Sequence, residues 1–239
     1  MLKSEVKTMN IIEKEILQHP VNELIYVNKL YQAKFAAVMT EQAFYKAVER
    51  LNASNFITKV SRGVYCRPKL TKYGSVLPSE REIIKLFTEK NKGTIVGYSL
   101  YNSLNLTTQI AKKHEVYSSS VEQQTKTIGN VFIKQYVLEY TSIVTSTIHM
   151  MEVLQHYNEI QNINTQQFVN LCEKFKKQFS EEVFEYVIKN IRYKKRTVAF
   201  LKNILDYFRI RNSLDRYLSA FSEYSHPRME TIYEAAQTH

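Results

Sequence analysis

The 239-residue chain is 44% hydrophobic and 23% charged, with four Pro, five Gly and no Trp, a composition that fits a globular protein and excludes disordered, collagen-like and disulfide-rich classes. Its 33 Lys and Arg against 23 Asp and Glu give a net charge of +10, and the excess lies early, with 12 basic and 6 acidic residues before residue 78. Such a field favours nucleic acid or an acidic partner, because each cation that meets a phosphate releases condensed counterions, although a basic surface kept for solubility has the same signature.

The length suits two domains. Cys66 and Cys172 are far apart and lack metal-type spacing, which predicts free thiols in a reducing compartment. The first fifteen residues contain no long apolar core, so no secretory signal is expected. Residues 93–111 carry no charge, but Thr94, Ser99, Asn102, Ser103, Asn105, Thr107, Thr108 and Gln109 make the run too polar for hydrocarbon. A cytoplasmic protein with no membrane partner is expected.

Residues 8–18 place Met9, Ile12 and Ile16 on one helical stripe, and His19-Pro20 ends it. Leu24 to Val27 is a short apolar run suited to a strand, after which Asn28 is expected to cap a second helix to about Ala37. Thr40 caps a third helix, in which Phe44, Ala47, Val48 and Leu51 share one face while Gln42, Tyr45, Lys46, Glu49 and Arg50 fall elsewhere. Asn52, Ser54 and Asn55 mark its stop. Phe56 to Val60 and Val64 to Arg67 then read as a hairpin turning through Ser61, Arg62 and Gly63. Helix, strand, helix, helix and two strands is the order of a winged helix-turn-helix, whose third helix enters the major groove.

The stretch from Arg67-Pro68-Lys69 to Pro78 carries two prolines, a glycine and several basic residues, and reads as a linker, set at 71–78, between residues 1–70 and a second domain over 79–239. Ser79 with Glu82 forms a capping box ahead of Ile83, Ile84, Leu86 and Phe87. A short helix over about Tyr98 to Leu104 follows. Strands are expected at His114 to Ser118 and Val131 to Val137, with Val121 to Asn130 a polar connection. From Ser146 onward there is no glycine, and apolar residues recur at helical spacing from Phe168 to Phe208. The fold class is therefore α+β: a winged helix plus a mixed domain with a small sheet and a helical end.

A winged helix reads bases from its third helix and meets phosphates from its rim and wing. Gln42 suits adenine, and Lys46 or Arg50 suits guanine or phosphate. Thr40 and Tyr45 belong to the same segment, while Lys59, Arg62, Arg67, Lys69 and Lys72 are five cations within 14 residues and with no acid between them. A solvated hairpin and linker carries the same charges. A second cluster, Lys189, Arg192, Lys194, Lys195 and Arg196, is either an additional DNA surface or the last turn of a helix, where cations complement the dipole.

Enzyme signatures are scarce: the chain has no P-loop, no G-x-G-x-x-G and no nucleophile elbow, so no catalysis and no cofactor are expected. His149, Glu152 and His156 share a helical face, which reads as a surface stripe rather than a metal site, since no third strong ligand lies nearby. The pairs Glu181-Glu182 and Glu80-Glu82 suit helix first turns.

Residues 40–118 resemble the AbiEi-type antitoxins of bacterial abortive-infection toxin–antitoxin modules. The phrases Arg62-Gly63-Val64-Tyr65, Pro78-Ser79-Glu80, Gly97-Tyr98-Ser99 and Leu106-Thr107-Thr108-Gln109 carry the likeness. The resemblance implies a winged helix that represses the protein's own promoter, and a C-terminal domain that counters a nucleotidyltransferase-type toxin without a stable complex. DNA contact would then fall on the helix from Thr40 to Arg50 and on Lys59, Arg62 and Arg67. An inverted repeat would be read by two copies, or by one chain with two basic surfaces. A regulator with no toxin to oppose, and a winged helix that holds protein, remain open.

Overall fold

The structure is a computed structural model that describes residues 11–237. Met9 lies outside the described residues. The chain divides into two compact units, Met1–Ile83 and Ile84–His239, and the fold is α+β.

The first unit opens with α1 (residues 11–17), which buries Ile12 and Ile16 as its spacing predicts. Then come β1 (Ile25–Tyr26), α2 (Val27–Leu30) continuing into a π-helical stretch (Tyr31–Phe35), and α3 (Glu41–Ala53). Asn28 does not cap α2: it lies inside the helix, which starts from Tyr26 without a side-chain capping bond. Thr40 does cap α3, its hydroxyl accepting from Ala43 N at 3.4 Å. Phe44 sits at the centre of the core, with Tyr31 and Phe35 each 5.3 Å away ring to ring.

The wing is β2 (Thr58–Ser61) and β3 (Val64–Cys66), with Gly63 left-handed at φ +71°. β3 is the central strand, antiparallel to β1 through Ile25 opposite Tyr65 and to β2 through Lys59 opposite Tyr65, with a bulge before Ser61. The Leu24 to Val27 run thus supplies a strand at Ile25 and Tyr26, and that strand pairs with the wing. The stretch read as a linker holds a second hairpin, β4 (Lys69–Thr71) and β5 (Gly74–Val76). Turn chemistry closes it, since Thr71 Oγ1 donates to Gly74 O at 2.9 Å and Gly74 takes φ +115°. Both strands are exposed, so no buried face announces them in the sequence.

α4 (Glu80–Thr88) begins with the expected capping box. Ser79 donates from N (2.7 Å) and Oγ (2.8 Å) to Glu82 Oε2, and these bonds hold the Glu82 carboxyl below its ordinary pKa. After it come β6 (Gly93–Val96), α5 (Gly97–Ser103), β7 (His114–Ser118), β8 (Thr125–Ile128) and β9 (Val131–Gln135). The four strands form one sheet in the order β6-β7-β9-β8, in which β7 and β9 are parallel. Two strands were not legible: β6 lies in the charge-free run and β8 in the presumed polar connection. α6 (Ser142–His156) is buried over much of its circumference and packs on α7 (Thr165–Lys176), α8 (Glu181–Asn190), α9 (Lys195–Tyr207) and the sheet. α10 (Met229–Gln237) closes against α7 and α9. Phe168, Cys172, Phe175, Phe184, Val187, Leu201 and Leu205 are all buried, as their spacing predicts.

Candidate functional site

In the first unit, α3 buries Phe44, Ala47, Val48 and Leu51 and leaves Gln42, Lys46, Glu49 and Arg50 exposed. Positions 42, 46, 49 and 50 form one stripe on a 3.6-residue repeat, so the side chains able to meet a base edge project from one face. Tyr45 is half-buried, its ring 5.6 Å from that of Phe44, and is therefore more a wall of the core than a free contact. Thr40 spends its oxygen on the cap.

Arg62 stands exposed at the wing tip, and Lys59 and Lys69 are exposed on their strands. Asn52, at the end of α3, accepts from Lys59 N at 3.0 Å, tying α3 to β2. Arg67 does something else: its Nη1 donates to the carbonyls of Leu17 (3.0 Å) and His19 (2.8 Å), the open end of α1. Lys72 lies over the Tyr73 ring, 4.9 Å from its centroid, on the second hairpin.

The second basic cluster is not one helix end. Lys189 is in the last turn of α8, Arg192 and Lys194 are in the connection, and Lys195 and Arg196 open α9, where the dipole opposes cations. All five are exposed, and Lys195 Nζ donates to Ser219 Oγ at 2.6 Å. The dipole explanation therefore holds for Lys189 alone.

The stripe on α6 is only partly at the surface. His149 and His156 are half-buried, and His149 Nε2 lies 2.6 Å from Thr94 Oγ1 on β6, with desolvation lowering the His149 pKa to about 4. Glu152 is 3% exposed, and its pKa is raised by burial. Among the described residues no three of His, Cys, Asp and Glu are disposed to hold a metal ion.

Glu152 instead forms the floor of a cleft of about 220 Å³. Tyr117 OH donates to Glu152 Oε1 at 3.1 Å, His156 Nε2 stands 4.0 Å from Glu152 Oε2, and His156 Nδ1 is 2.7 Å from Glu159 Oε2. Glu115 completes the carboxylates, and Tyr98 and Tyr101 add aromatic wall. Gly97, at φ +65°, leaves space where a Cβ would meet Glu115 Oε1 at 2.8 Å. Of this group the sequence marks Glu152 and His156 as one stripe and Gly97 and Tyr98 as part of a family-like phrase, but it joins neither to Glu115 and Tyr117, which reach the cleft from β7 with no local pattern linking them to α6.

The phrase Leu106 to Gln109 is structural. Asn102 Nδ2 donates to the carbonyls of Thr107 (2.9 Å) and Gln109 (2.8 Å), and Thr107 Oγ1 donates to Gln161 O at 2.7 Å. Cys66 and Cys172 are free and buried, and burial pushes the Cys66 thiol up to about 11. No helix among the described residues is long and apolar enough to cross a membrane.

A family model described as a family of unknown function, DUF6088, matches residues 12–174. No curated protein matches the chain. Among solved structures, the crystal structure of RV2827C protein from Mycobacterium tuberculosis is similar at a TM-score of 0.45 and 8% identity, over 84% of this chain and 76% of that one.

Proposed function

We propose, for a chain that belongs to the DUF6088 family of unknown function, that it is a winged-helix protein that binds double-stranded DNA upstream of its own gene and represses transcription there. The observation that carries this reading is the exposed stripe Gln42, Lys46 and Arg50 on α3, set beside a wing whose tip is Arg62. Base-reading groups on the helix and a cation on the wing are the two contacts such a module needs. Neither Lys46 nor Arg62 takes part in an ion pair among the described residues, so both charges are available to phosphate. On this reading the protein acts in the cytoplasm.

The test is anisotropy of labelled upstream DNA across a salt series, for the native protein and for Lys46→Ala with Arg62→Ala. Native binding is expected to weaken steeply with salt, and the double change to flatten the slope by about 2, since each lost phosphate contact removes roughly 0.9. Absence of native binding at low salt overturns the reading.

A second role rests on the likeness of residues 40–118 to AbiEi-type antitoxins: opposition to a nucleotidyltransferase-type toxin, without a stable complex. Co-expression with a neighbouring toxin gene tests it. Growth is restored if the role is right, and stays arrested if the protein is a regulator alone.

A further inference from the structure

We infer that the cleft of the second unit is a binding site for a small organic cation carrying a primary ammonium or guanidinium group. The inference does not depend on the DNA-binding reading. Three carboxylates, those of Glu115, Glu152 and Glu159, line the cleft, and no Lys or Arg does. Lys194 and Arg196 act on Glu159 at a distance, but neither is in the lining. Even with His156 charged, the ionised set is left with excess negative charge.

Glu152 decides the chemistry. A carboxylate 3% exposed is costly unless a cation or several donors compensate it. Here it has Tyr117 OH at 3.1 Å and His156 at 4.0 Å. The Tyr193 hydroxyl lies against the same carboxyl, is buried, and reaches no partner in normal hydrogen-bond geometry. Glu152 thus meets tyrosine and histidine groups but no Lys or Arg in the lining, while the walls are tyrosine rings, Tyr98 and Tyr101 being 5.5 Å apart edge to face. Rings beside carboxylates suit a cation with an organic body, which gains from the ring faces as well as from the charge.

Size points the same way. A single water needs roughly 10–15 Å³, whereas the cleft holds about 220 Å³, far more than a bare ion fills. The carboxylates are also not disposed to converge on a metal.

The experiment is calorimetric titration of the full chain with agmatine and with spermidine, against 1,5-pentanediol as a neutral control and MgCl2 and ZnCl2 as metal arms. Saturable one-to-one binding of at least one amine is expected, with no heat from the diol. Glu152→Gln, which keeps shape and removes charge, should weaken it at least tenfold. Glu159→Gln, at an exposed rim position that leaves the fold untouched, should weaken it severalfold. Failure of both amines to bind, binding unchanged in both variants, or saturable binding of a metal without an amine overturns the inference.

Discussion

Arg67 Nη1 bridges the carbonyls of Leu17 and His19, at 3.0 and 2.8 Å, so a side chain at the end of the wing closes the open end of α1 nearly fifty residues earlier. The bond is charge-assisted and partly buried, and it meets carbonyls that have no helical partner. Arg67→Ala should lower the unfolding free energy by about 2 kcal/mol, in line with hydrogen bonds to charged groups. The same variant should leave the salt slope of DNA binding unchanged, whereas Arg62→Ala should reduce that slope by about 1. Urea unfolding and the salt series separate the two arginines.

Gln42 and Lys46 lie one turn apart on the exposed stripe of α3. Gln42→Ala should cost about 1 to 3 kcal/mol on one preferred DNA sequence and little on others, because a base contact carries discrimination. Competition between the upstream DNA and single-base variants is the measurement. A uniform loss across sequences would place Gln42 on the backbone instead.

His149 titrates in the wrong direction for an acid-tolerant protein. Its folded pKa is lowered from 6.5 to about 4, with burial the main cause and a backbone bond to Ile95 partly offsetting it. As pH falls from 6.5 towards 4, the unfolded chain takes up a proton that the folded chain refuses, so stability declines through that window by up to roughly 3 kcal/mol. Glu152 is raised by burial and contributes with the opposite sign, because the folded carboxyl binds its proton first. His149→Gln retains Glu152, so the stability difference between variant and native protein should shift by about 3 kcal/mol between pH 7 and pH 4. A difference that stays constant with pH would refute this account.

Gly93 opens β6 where the backbone is closest to its neighbours. A Cβ there would stand 2.2 Å from Tyr117 O and 2.4 Å from Phe87 O, both main-chain atoms that cannot swing away. Gly93→Ala should therefore abolish the folded second unit, seen as loss of its cooperative unfolding transition. Gly129→Ala meets nothing within 4 Å and only the left-handed backbone at φ +56°. It should cost about 1 to 2 kcal/mol and leave the fold intact.

Local chemistry made part of the fold legible. The Thr40 cap, the Phe44 to Leu51 face, the turn at Gly63 and the Ser79-Glu82 capping box are each decided within about eight residues, and each stands as read. The repeat from Phe168 to Leu205 needed only periodicity. Asn28 misled because a good capping residue sits at the second position of a helix that starts without a side-chain cap. β4 and β5 were hidden by their lack of a buried face and β6 by the distance to its partner β7, whereas β8 pairs with β9 across the two-residue turn Gly129-Asn130, a hairpin signal that reading Val121 to Asn130 as a polar connection passed over.

What the sequence determined by itself is therefore the helix and hairpin order up to Cys66 and the stripe on α3, since helix periodicity, caps and a glycine turn act over short range. Tertiary structure alone decided which charges are committed and which face outward. Arg67 joined the end of α1 and Arg62 did not, and Glu152 left the expected surface stripe to become the floor of a cleft built from β7, α5 and α6. The physical reason is that a charge is placed by whatever lies across from it once the chain has folded, and for these residues the opposing groups are tens of residues away.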